Sequence, residues 1–139
     1  MDIDQVRAKN RLCPENRGFG VYDAYMGHAV ASLRSGTAGL SCIQGNYFPE
    51  LVSWLCSNYD NSALRKEVDK VQQFFSEEME VMHKDYPKSA KYYLWKKGMN
   101  LSVFTRDSGN SQVSYGMKED MEKLERSYGR LLAQIPGQL

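Results

Sequence analysis

Residues Phe19 to Leu55, FGVYDAYMGHAVASLRSGTAGLSCIQGNYFPELVSWL, decide the fold. Their spacing predicts strand, helix, strand, helix. Phe19–Tyr22 reads as a short strand, bounded by Gly18 and Asp23. Met26, Ala29, Val30 and Leu33 then recur at i, i+3, i+4, i+7, the stripe of a helix with one apolar face. Gly36 stops that helix, because glycine takes positive φ at little cost. Gly39–Ile43 is small, apolar and uncharged, and reads as a second strand. Gln44-Gly45-Asn46 turns the chain, with Asn46 as a candidate N-cap and Pro49 in the first helical turn, where its missing N–H is not needed. Phe48, Leu51, Val52, Leu55 and Cys56 supply the next stripe. Two short buried strands joined by a helix predict a parallel pair with a right-handed crossover. Strands with no polar face are expected to be covered on both sides.

Outside this stretch the sequence reads almost wholly as helix. Residues 2–12 form a helix candidate with Ile3, Val6 and Leu12 as its sparse apolar set, followed by a polar connection, Cys13 to Gly18. A chain opening on the helix of a β/α unit reads as cut or restarted at Met1. Beyond the turn-rich Ser57–Ser62, a helix is predicted from Ala63 to His83, capped by Ser62, with the stripe Leu64, Val68, Val71, Phe75, Met79, Met82. A shorter helix follows over 88–97, begun by Pro87 and closed by Gly98, with Ala90, Tyr93, Leu94 and Lys97 on one face. Residues 99–116 read as a polar loop with a turn at Asp107–Ser111. The last helix runs from Met117 to about Gln134, with Met117, Met121, Leu124, Tyr128, Leu131 and Ile135 on one face, and Pro136-Gly137 ends it.

At 139 residues, a single buried core is within reach. Eighteen basic and 17 acidic residues nearly balance, so neither nucleic acid nor an anionic membrane is expected as a partner. No apolar run approaches the roughly 18 residues of a spanning helix, and the N-terminus lacks the apolar core of a secretion signal. Cys13, Cys42 and Cys56 are odd in number and match no metal spacing. Free thiols and a cytoplasmic location are expected, with no metal site.

Several short motifs share an order and spacing. Val21-Tyr22-Asp23 ends one strand, and Ser35-Gly36-Thr37-Ala38-Gly39-Leu40-Ser41 enters the next. Gly45-Asn46-Tyr47-Phe48-Pro49 follows, and then Pro87, Lys91, Leu94 and Gly98. Together they resemble the C-terminal portion of the dihydrodipicolinate synthase and N-acetylneuraminate lyase family, over about residues 1–135. The resemblance implies an α/β fold: the C-terminal part of a (β/α)8 TIM barrel, about strands 7 and 8, in residues 1–60, with a helical extension in 61–139. It implies a class I aldolase or lyase acting on a 2-oxo acid such as pyruvate, through a lysine Schiff base and with no cofactor. It implies a homo-oligomer for the full-length enzyme. Active sites of such barrels lie at the carboxyl ends of the strands, so Asp23, Ala24, Tyr25, Ser41 and Cys42 are the substrate-binding candidates. The family's imine lysine and relay tyrosine belong to earlier strands and are expected before Met1. An imine lysine must be desolvated to be neutral, and every lysine of this chain falls on a polar helix face or in a turn. No catalytic residue is therefore assigned.

Other residues admit two readings each. Cys42 is either a nucleophile or a small buried residue. Ser41 offers its backbone or hydroxyl to a ligand, or packs. Asp23 and His28 form an acid–base pair, or His28 is a half-buried helix-start residue. Gln44-Gly45-Asn46 holds an anion at a helix N-terminus, or only turns the chain. Tyr92, Tyr93 and Trp95 beside Lys96 and Lys97 make an aromatic–basic patch, or belong to the fold. The function reduces to two alternatives: part of a lyase, or a non-catalytic remnant acting as an interaction module through its helical half.

Overall fold

The computed structural model describes residues 2–13, 18–107, 109, 112–135 and 137. The connection at 14–17, part of the turn at 107–111, and Pro136 lie outside the described residues. Helix α1 spans Ile3–Arg11, and its N-cap Asp2 accepts from the Asp4 N–H. Strand β1 is Tyr22–Asp23. A 3-10 turn at Met26–His28 leads into α2, Ala29–Arg34. Strand β2 is Gly39–Leu40, and a second 3-10 turn covers Ile43–Asn46. The remaining helices are α3 Pro49–Asn58, α4 Arg65–Glu77, α5 Met79–His83, α6 Lys88–Lys96 and α7 Tyr115–Gln134.

The two strands pair in parallel, Tyr22 opposite Gly39 and Asp23 opposite Leu40. That pair is the whole sheet among the described residues. The barrel expectation is therefore wrong: this is a mostly helical chain carrying a two-stranded sheet, not two strands of a barrel wall. The predicted spans Phe19–Tyr22 and Gly39–Ile43 shrink to two residues each. A short apolar run does not by periodicity distinguish strand from irregular chain, and here the chain coils into a 3-10 turn directly beyond Cys42. Nor are both faces covered, since Phe19 is 73% and Tyr22 63% exposed.

The core lies among the helices. Met26, Phe48, Leu51, Leu55, Val68, Val71, Phe75, Met82 and Leu124 are fully buried and belong to one cluster, which continues through Tyr93 and Ile135. Phe48 sits at its centre, with ring contacts to Phe74, Tyr93 and Tyr128. The Tyr47 hydroxyl donates to the Met82 carbonyl at 2.9 Å and meets the Ser89 hydroxyl at 2.9 Å, tying α5 to α6. The single helix expected from Ala63 to His83 divides at Glu78 into α4 and α5, and its start is a 3-10 turn capped by Asn61 rather than Ser62. The last helix starts two residues earlier than expected, where the Ser114 hydroxyl accepts from the Met117 N–H at 3.1 Å. No helix among the described residues is long and apolar enough to cross a membrane.

Candidate functional site

A buried carboxylate organises the carboxyl end of the β1–β2 pair. The Ser41 N–H donates to the Asp23 carbonyl at 2.8 Å, which brings Asp23, Ala24 and Tyr25 beside Ser41 and Cys42. Asp23 is 2% exposed. Its Oδ1 accepts from the Tyr25 N–H at 3.1 Å, and its Oδ2 lies 3.0 Å from His28 Nε2. Burial alone pushes its carboxyl up. Hydrogen bonds from the Tyr25 N–H, the Ser32 hydroxyl and His28 outweigh that and hold it below the usual carboxylate range. An ionised Asp23 only accepts, so Nε2 of His28 carries the hydrogen and Nδ1 is the basic nitrogen. The Tyr25 ring meets the imidazole edge-on, centroids 4.8 Å apart. Gly27 makes room for it, since a Cβ there would come within 2.6 Å of the Tyr25 ring.

The network continues inward to α1. Ser32 and Thr37 hydroxyls lie 2.8 Å apart, and Asn10 Nδ2 donates to the Thr37 hydroxyl at 3.0 Å and to the Ser35 hydroxyl at 2.9 Å. Because Asp23 accepts from Ser32, Thr37 donates to Ser32, and every hydrogen in the chain points toward the carboxylate. Sequence reading missed Asn10, Ser32 and Thr37 as members of this network.

The five substrate-binding candidates thus sit together, but they offer different things. Asp23 is enclosed and committed to His28. Ala24 and Ser41 are exposed, while Tyr25 and Cys42 are half-buried. The Ser41 N–H is used by Asp23, which leaves its hydroxyl as the side-chain group for a ligand. Burial pushes the Cys42 thiol up, the Gly45 and Gln44 N–H groups counter only part of that, and nearby Cys56 adds to the rise. A thiol held protonated is a packing group rather than a nucleophile.

Two further readings are corrected. Gln44 is fully buried and belongs to the 3-10 turn, and Phe48, not Asn46, is the N-cap residue of α3. Asn46 instead donates through Nδ2 to the Tyr86 hydroxyl at 3.0 Å. Gln44-Gly45-Asn46 is therefore no anion cradle at a helix start. The aromatic–basic patch is likewise dispersed: Tyr93 is 2% exposed, and Lys96 and Lys97 both pair with Glu125, at 2.9 and 2.7 Å. Among the described residues, no group of three or more His, Cys, Asp or Glu side chains is placed to hold a metal ion.

No family model matches the chain, and neither does any curated protein or solved structure.

Proposed function

We propose that this chain binds a small 2-oxo acid at the carboxyl end of the β1–β2 pair, as the contributing part of a class I lyase or aldolase, and that it does not itself supply the imine lysine. The supporting observation is the meeting of Asp23–Tyr25 with Ser41–Cys42, fixed by the Ser41 N–H to Asp23 carbonyl bond. That end presents the Ser41 hydroxyl, and the same Asp23 whose carbonyl holds Ser41 orients the His28 imidazole through its carboxylate. A carboxylate-held imidazole is a standard way to place a proton acceptor. The class of substrate rests on the resemblance of the short motifs.

Contrary to the expectation that every lysine lies on a polar face or in a turn, Lys88 is buried at 5% exposure; four others argue for the second half of the proposal. An imine lysine needs its ammonium destabilised. Hydrogen bonding to Asp120 raises Lys84, and hydrogen bonding to Glu125 raises Lys96, which is the opposite effect. Lys91 donates to the Phe104 carbonyl and Lys70 to the Gln134 carbonyl, both on the helical side of the molecule.

The test is an amide NMR titration with pyruvate, paired with borohydride trapping read by intact mass. Shifts at Tyr25, Ser41 and Cys42 without a covalent adduct are expected. Pyruvate that moves none of these amides overturns the binding assignment, and a trapped lysine adduct overturns the claim that the chain lacks the nucleophile.

The second reading, an interaction module, draws on the exposed apolar residues of the helical half: Trp95 at 55%, Met99 at 52%, Phe104 at 46% and Tyr115 at 76%. Tyr92 stacks on Trp95, centroids 6.0 Å apart. For that reading, the unmodified chain should show a concentration-dependent rise in solution mass, and Trp95→Lys should abolish it.

A further inference from the structure

A cleft of about 520 Å³ opens between α1, α2 and α4, with Gly27 and His28 of the turn before α2 on its wall. It is of the size that holds small ligands, about 300–1,000 Å³. Val30 and Ala31 of α2 contribute apolar surface to it. Arg7 of α1 and Arg34 of α2 line it, and so does Asp69 of α4.

All three charged groups stand on anchored parts of the fold. Arg34 Nη2 donates to the Tyr59 carbonyl at 2.9 Å, and Arg7 Nη1 pairs with Asp4 at 3.0 Å. A guanidinium has five N–H donors, so each keeps donors for a ligand. Asp69 lies one turn before Gln72, whose side-chain amide accepts from the Val30 N–H at 2.9 Å and donates to the Met26 carbonyl at 2.8 Å. That bond pair fixes α4 against the start of α2. Asp69 has no ion-pair partner within 4.0 Å among the described residues.

A simple anion would gain the arginines and be repelled by Asp69. A simple cation would gain Asp69 and be repelled by the arginines. We propose that the cleft binds a zwitterion of the α-amino-acid type with an apolar side chain: carboxylate against Arg7 and Arg34, ammonium against Asp69, side chain on Val30 and Ala31. The assignment does not depend on the 2-oxo-acid reading, although the cleft shares Gly27, His28 and Ser35 with the strand-end network.

The test compares three probes by saturation-transfer NMR on the full chain. They are L-leucine, 4-methylpentanoate, which lacks the amine, and 3-methylbutylamine, which lacks the carboxylate. L-Leucine should bind about tenfold more tightly than either analogue, and Asp69→Asn should remove its advantage over 4-methylpentanoate. Asp69 is exposed, so an unchanged thermal midpoint in the variant is expected and confirms the fold. The proposal is overturned if 4-methylpentanoate matches L-leucine, if none of the three shows saturation transfer, or if Asp69→Asn leaves L-leucine binding as it was.

Discussion

Phe48 and Asp23 are both enclosed by the protein, at 0% and 2% exposure, and they are held by opposite means. Around Phe48 the forces are undirected. Four rings from α4, α6, α7 and the entry to α3 pack together, and any side chain of similar volume and shape would serve. Around Asp23 each carboxylate oxygen has a named partner, and the loss of one leaves a buried oxygen unpaired. The helical region should tolerate exchange of one apolar residue for another of like volume, whereas the strand end should tolerate almost none. The difference is expected wherever burial is apolar in one place and polar in another.

The largest effect should come from breaking the apolar side. Phe48→Ala removes ring contacts at centroid distances of 4.4–5.5 Å and opens a cavity at the centre of the cluster. A loss of about 3–5 kcal/mol is expected from urea unfolding, a large share of a marginal total. Phe48→Leu should cost clearly less.

The strand end should break by a smaller amount, and with a pH signature that the apolar side lacks. Asp23→Asn keeps the shape but loses the charge that orients His28, and should cost about 1–3 kcal/mol at pH 7. The folded carboxyl of Asp23 is held below its ordinary value. Its contribution is therefore complete above the unfolded value of about 3.9 and is lost as pH falls through the folded one. The gap between the unmodified chain and Asp23→Asn should shrink as pH drops below about 4, while the gap for Phe48→Ala should not. Equal pH behaviour of the two variants would sink the contrast.

The smallest effect sharpens the contrast from within the helical side. Ser114→Ala removes one capping bond to the Met117 N–H, and should cost about 1 kcal/mol without pH dependence. Thermal midpoints at pH 4 and pH 7 check it.

The same contrast explains what could be read from the sequence. Helical stripes are periodic, and most of their members are core: Val68, Val71, Phe75 and Met82 on α4 and α5, and Met117, Met121, Leu124, Leu131 and Ile135 on or just beyond α7. Phe74 escaped, because it leaves the stripe to meet Phe48 across the bundle at 5.4 Å. The parallel pairing of the strands followed from the helix between them. Their length, and the sheet that was expected to continue around them, did not. Asp23 and His28 are close in sequence and could be weighed as a pair. Asn10 lies 25 and 27 residues before Ser35 and Thr37, so nothing in their spacing announces that they bond. Arg7, Arg34 and Asp69 meet only because three helices do.

The side chain of Gln72 bonds to both Met26 and Val30. The Val30 N–H lies in the first turn of α2, where a helix leaves its own amides without partners. Gln72, on α4, supplies that partner from the other half of the chain. The exchange of the Val30 amide with deuterium should therefore keep time with the opening of α4, not with the fraying of α2. In Gln72→Ala it should speed up, while amides in the middle of α7 hold their rates. One glutamine thus ties the exposure of an amide in the first half of the chain to the opening of a helix in the second.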